Sequence, residues 1–237
     1  MKNIYKITVI IALSIFVSCK KQEQEKPKVI YETSKEKTTV KIDTTQIKVA
    51  DLPIHFEGTN YLIFPVGNLK NDGKSYKSSY ESEEGFTISN YGEYQITGFL
   101  QNLKFQEIGK DAIYALTEKP VLIQTATYLK TIADKFKKQL LVYSLTDIDS
   151  NKDNKLDAND IKSIYISDIS GKNFIKLSAD FQELIDWKVI IEVKSRLYFR
   201  TIEDTNKNGE FDKEDKIHYN YVNLLDKEWK TKEYNPI

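Results

Sequence analysis

The chain has 237 residues, 40% of them hydrophobic and 30% charged, and its 35 basic and 35 acidic residues cancel to a formal net charge of zero. That length fits one globular domain with a tail, and the neutral balance excludes nucleic acid as partner, because phosphate contacts need a basic excess to release counterions. With 15 Tyr and 11 Phe against 9 Gly and 5 Pro, the composition favours strands, so the expected class is all-β.

Residues 1–18 carry Lys2 and Lys6 ahead of an apolar run from Ile7 to Val17. This is the build of an export signal, and the run is shorter than the roughly 20 residues of a membrane-spanning helix. It ends at Cys19, the one cysteine, directly behind the small Ser18. The junction resembles the lipobox of bacterial lipoproteins, with Phe16 standing where Leu is usual. The resemblance implies removal of residues 1–18, acylation of Cys19 (palmitate among the chains) and anchoring to a cell-envelope membrane, on its periplasmic or its surface face. Residues 19–51 are mixed in charge and poor in large apolar side chains, so burial cannot offset their ordering entropy and they read as a flexible polar tether.

From residue 52 the pattern turns globular. YLIFPVG at 61–67, KSYKSSY after an Asn71-Asp72-Gly73 turn, GFTISNY at 85–91, YQITGFL and NLKFQEI over 94–108, AIYALT at 112–117 and PVLIQTAT at 120–127 read as strands of an antiparallel meander. Over 128–138, Leu129, Ile132 and Phe136 fall at helical spacing and predict one short amphipathic helix. LLVYSL, SIYISDI, FIKLS, WKVIIEVK, RLYFRTI, IHYNYVNLL and EWKTKEY then continue the strands to the end of the chain.

Two stretches between these strands carry the chemistry. DSNKDNKLDAND at 149–160 and DTNKNGEFDKED at 204–215 place oxygen-bearing side chains at positions 1, 3, 5, 9 and 12, with a turn former at 6 and an apolar residue at 8. That spacing resembles the calcium loop of EF-hands, in which a hard cation collects six to eight oxygens from alternate side chains and one backbone carbonyl. The implied ligands are Asp149, Asn151, Asp153, the carbonyl of Lys155, Asp157 and Asp160 in the first loop. In the second they are Asp204, Asn206, Asn208, the carbonyl of Glu210, Asp212 and Asp215. Asp at position 12 is similar to the loops of dockerin modules, but the flanks read as strands, so the resemblance does not bring helices with it. Gly209 and Asn154 suit the positive φ expected at position 6, and Leu156 and Phe211 are expected to hold the loops to the protein.

The loops start 55 residues apart, and the same offset relates Tyr143 to Tyr198, Ile169 to Leu224 and Phe174 to Trp229, which points to a repeated unit. IYISDISGKNFIKLS at 164–178 resembles the WD40-like repeat of TolB-type β-propellers, with a strand ending in Asp168, a glycine turn and a strand closing on Leu177-Ser178. In the second unit Asn223 stands in place of Asp168 and the turn glycine is missing. The resemblance implies propeller-like blades. Residues 52–117 either add two more, for up to four, two of them with calcium-loop insertions, or fold as a separate small sheet packed against an open pair.

No catalytic constellation stands out. His55 and His218 lie in no HExxH pattern, there is no G-x-S-x-G elbow or P-loop, and the clustered carboxylates belong to the loops. Trp187 and Trp229 are expected to pack between sheets rather than to form a sugar platform. The expected function is a lipid-anchored envelope protein whose β-domain binds one or two structural calcium ions and acts as a binding or structural module, with envelope proteins or glycans as partners. Two other readings stay open: a cell-surface hydrolase with structural calcium, and a metal-free protein-interaction scaffold.

Overall fold

The apolar run LLVYSLT sets the architecture. In the computed structural model, which describes residues 26–31, 47–69 and 87–237, alternate residues of this strand face two different cores. Leu141, Tyr143 and Leu145 point into one and Leu140 and Val142 into the other, all fully buried. A strand covered on both faces has to run through the middle of the protein.

The elements are β1 (Ile47–Ala50), β2 (Ile54–His55), β3 (Tyr61–Leu69), β4 (Ser89–Gly92), β5 (Gln95–Leu100), β6 (Asn102–Glu107), β7 (Ile113–Ala115), β8 (Leu122–Tyr128), α1 (Lys130–Phe136), β9 (Leu140–Thr146), β10 (Ser163–Asp168), β11 (Ile175–Lys176), β12 (Gln182–Ile190), β13 (Arg196–Glu203), β14 (Lys216–Asn223) and β15 (Lys232–Glu233). They form three antiparallel sheets. The first has the order β1-β3-β6-β7, with β2 also on β3; the second is β11-β10-β9-β8-β5-β4; the third is β12-β13-β14-β15. One core, with Phe56, Ile63, Leu103 and Phe105, lies between the first two sheets. The other joins the second sheet to the third, where Leu184, Leu197, Phe199 and Val222 meet Ile164 and Ile166, with Leu129 and Ile132 from the helix region alongside.

The chain is thus mostly β and antiparallel with one short helix among the described residues, where the periodicity placed it. The expected meander holds only from β8 onward. Earlier, β4 and β5 leave for the second sheet and β6 and β7 return to the first. The crossing is made at Gln101, whose N–H bonds to the Val66 carbonyl, just after a bulge in the β5–β8 pairing between Thr97 and Leu100. Residues 52–117 therefore feed two sheets and form neither two further blades nor one separate small sheet. The Asp51 carboxylate ties the two sheets by accepting the N–H groups of Ile88 and Ser89 at 3.0 and 2.9 Å.

Two pieces of the stretch read as a tether belong to the folded protein. β1 pairs with β3, and residues 26–31 lie against both acidic loops. The export signal, Cys19 and the Asn71-Asp72-Gly73 turn with KSYKSSY fall outside the described residues. Among the described residues no helix is long and apolar enough to cross a membrane.

Candidate metal centre

Each acidic stretch connects the two strands of a hairpin, β9 to β10 and β13 to β14. A connection of this length must turn repeatedly, and short side chains with oxygens supply the turns by capping the backbone two to five residues on. In the first loop Asp149 accepts the N–H groups of Asp153 and Asn154 at 3.1 and 2.9 Å, and Asn151 accepts that of Asp153 at 3.0 Å. Asp153 accepts from Lys155 and Asp157 from Asn159, both at 2.8 Å. Asp160 closes the loop by accepting the N–H groups of Ser150 at 2.7 Å and Asp157 at 3.1 Å.

Every one of these bonds recurs 55 residues later. Asp204 accepts from Asn208 and Gly209 at 3.2 and 2.7 Å, Asn206 from Asn208 at 2.9 Å, and Asn208 from Glu210 at 2.8 Å. Asp212 accepts from Glu214 at 2.7 Å, and Asp215 from Thr205 and Asp212 at 3.1 and 2.9 Å. Positions 4 and 6 are left-handed in both copies, with φ of 58° and 68° at Lys152 and Asn154 and 58° and 86° at Lys207 and Gly209. The two loops have one backbone design.

Burial is uneven within them. Asp160 and Asp204 are 0% and 3% exposed, whereas Asp153, Asn206, Asn208 and Asp212 face solvent. Burial pushes the Asp160 carboxyl above the ordinary aspartate value, against the pull of the N–H groups of Asp157, Asn151 and Ser150. Neither Asp160 nor Asp204 makes an ion pair with a basic side chain among the described residues. Lys155 and Glu210, the expected carbonyl donors, are exposed. Leu156 and Phe211 are half-buried and join neither core, so the anchoring expected of position 8 is made elsewhere. Among the described residues no group of three or more His, Cys, Asp or Glu side chains is gathered closely enough to hold a metal ion.

The anchor is the segment Lys28–Tyr31, which lies within the stretch whose composition predicts a tether. Lys28 and Ile30 donate their N–H groups to the carbonyls of Asn159 and Ser150 at 3.2 and 2.8 Å, and Val29 donates to Gly209 at 3.1 Å. Ser150 Oγ donates back to the Lys28 carbonyl at 2.7 Å. Val29 is 2% exposed, and Lys28 Nζ lies 3.7 Å from Glu210. Burial, and then the carboxylates of Asp204, Asp215 and Glu203, push the Tyr31 phenol up to about 12. The apolar triplet Val29-Ile30-Tyr31 inside a charged stretch was the available sequence signal.

Outside the loops, His218 sits between two acids, with Nε2 2.7 Å from Glu203 and Nδ1 3.1 Å from Glu233. It borders a cleft of about 370 Å³ lined by Ser178, Gln182, Asn220, Thr231 and Glu233 among others. His55 bonds to the Thr59 carbonyl. Trp187 and Trp229 pack against the second core, Trp229 with Lys138 over its ring. The repeat is not a simple copy in its aromatics. Tyr143 and Phe174 belong to the first core, while Tyr198 packs tilted against Tyr221 and edge-on against Tyr234, and Trp229 joins the second core. Comparison with protein-family models, with curated proteins and with solved structures gives no match.

Proposed function

We propose that the protein is an envelope lipoprotein, anchored through Cys19, whose β-domain binds calcium in the loops 149–160 and 204–215 and serves as a binding or structural module. One observation carries the calcium reading: two stretches 55 residues apart adopt the same turn network, each including a buried carboxylate, Asp160 or Asp204, that has no basic partner among the described residues. A divalent cation is the partner that donor set suits, being all oxygen, with four carboxylates and an amide in the first loop and three carboxylates and two amides in the second. Asp153 and Asp212 are exposed, and each caps one backbone N–H, of Lys155 and Glu214, with a single oxygen, so the other oxygen of each is open to an ion. The ion would supply charge neutralisation and cross-linking, and the first loop should bind it more tightly.

The blade-like part of the reading rests on β8–β11 and β12–β15, each a sequential run of four antiparallel strands, packed face to face through the second core. We read these as two blade-like units.

Calorimetric titration with calcium and thermal melts with and without EDTA test the ion. Two bound ions and a stabilisation of about 1–2 kcal/mol per site at tenfold excess over Kd are expected. Asp149→Ala and Asp204→Ala should each abolish one site. A silent titration with an unchanged midpoint overturns the calcium reading. Cys19→Ser should release the protein from the membrane fraction; retention there overturns the anchor. The hydrolytic alternative has Glu203 and Glu233 at His218 in its favour, but both acids are engaged by the imidazole in a cross-strand clamp.

A further inference from the structure

The segment Lys28–Tyr31 does more than touch the loops. Its successive N–H groups alternate between them: Lys28 donates to the first, Val29 to the second, Ile30 to the first again. Consecutive N–H groups that point to opposite sides, as along an extended chain, let one segment laid between two loops bond to both. The acceptors lie at positions 2 and 11 of the first loop and at position 6 of the second. A Cβ on Gly209 would stand 2.7 Å from the Val29 carbonyl oxygen, so the second loop admits the segment because that residue is glycine. Ser150 joins both structures, since its hydroxyl donates to Lys28 and accepts the Ile161 N–H at 3.1 Å.

We infer that residues 28–31 form a clasp through which an ion in one acidic loop favours an ion in the other and holds the leading chain to the domain. The inference rests on the calcium reading above and adds its regulation. The clasp binds carbonyls that are in place only when both loops keep their turns. An ion that orders either loop therefore favours the clasp, and the clasp favours order in the remaining loop. Coupling of this kind is reciprocal: calcium shuts the clasp to the extent that the clasp tightens calcium. It also sets a length. Cys19 precedes Lys28 by nine residues, about 30 Å at full extension, whereas with the clasp open the next strand contact among the described residues is Ile47, 28 residues beyond Cys19 and up to about 95 Å away. Calcium would thus hold the domain close to a membrane that retains Cys19.

Trypsin reads the clasp directly, because the Lys28–Val29 bond lies inside it. Cleavage after Lys28 in the full chain, followed by mass spectrometry, should be about tenfold slower in millimolar calcium than in EDTA, while cleavage after the exposed Lys227 stays unchanged. Calcium titration of Val29→Asp, which sets a carboxylate at a site 2% exposed, should give two independent and several-fold weaker sites where the parent gives coupled ones. Two ions bound with Lys28 cut equally fast in both conditions overturns the clasp and leaves the calcium reading standing. No calcium bound overturns both.

Discussion

Gly209 and Asn154 occupy the same place in their loops, yet substitution should affect them in opposite directions. Gly209→Ala meets both a φ of 86° and the Val29 carbonyl, and is expected to cost about 2–3 kcal/mol in a urea melt. Asn154→Gly relieves a φ of 68° and should be neutral or stabilising by a few tenths of a kcal/mol. At Tyr143 the effect is one of charge. Burial raises its phenol far above the ordinary value of 10.0, and the hydroxyl bonds to Ser167 Oγ at 2.7 Å. The folded protein keeps the proton that the unfolded chain gives up, so this contribution to stability is complete below pH 10 and declines as pH rises toward the folded value. Tyr165, raised by burial and then by Asp147, acts in the same sense. Denaturant melts between pH 9 and 11 should show that decline, and Tyr143→Phe should make it shallower.

At the scale of elements, the turn from β10 to β11 connects the sheets. Gly171, with φ of 75°, lies so close to the Phe105 ring on β6 that an added Cβ would stand 2.5 Å from it, and Tyr114 from β7 bonds to the Ser170 carbonyl at 2.9 Å. Gly171→Ala is expected to cost about 3–4 kcal/mol. Gly109→Ala is the control: its φ is 85° but nothing lies within 4 Å, so only the backbone cost of about 1 kcal/mol should appear. The glycine that resembled a propeller turn is therefore held by packing on a different sheet. The strands were legible because their alternation is strong, as in RLYFRTI, where Leu197 and Phe199 enter the core while Tyr198 and Arg200 stay outside it. β12 begins earlier than the pattern predicts: it opens at Gln182, ahead of Trp187, and a bulge at the exposed Ile185, between Leu184 and Asp186, breaks the alternation.

Across the whole molecule, β9 contributes to both cores, so neither should unfold alone. Phe199→Ala, 2% exposed in the second core, is expected to cost about 3–5 kcal/mol. Its melt followed by tryptophan emission, which reports the second core through Trp187 and Trp229, should coincide with the melt followed by far-ultraviolet circular dichroism. Separate transitions would mean that the sheets fold as independent units.

The sequence by itself determined the strand class, the one helix among the described residues and the two acidic loops, because hydrophobic periodicity and capping by Asp and Asn are local effects written within a dozen residues. Tertiary structure alone decided which strands share a sheet, since the exchange of β4–β7 between two sheets is made by pairing β5 with β8 and β6 with β3, each distant in the chain. It alone decided, too, that Lys28–Tyr31 lies between loops more than 100 residues away. Backbone hydrogen bonds of that span leave no mark on side-chain pattern, because every residue but proline carries the same donor and acceptor.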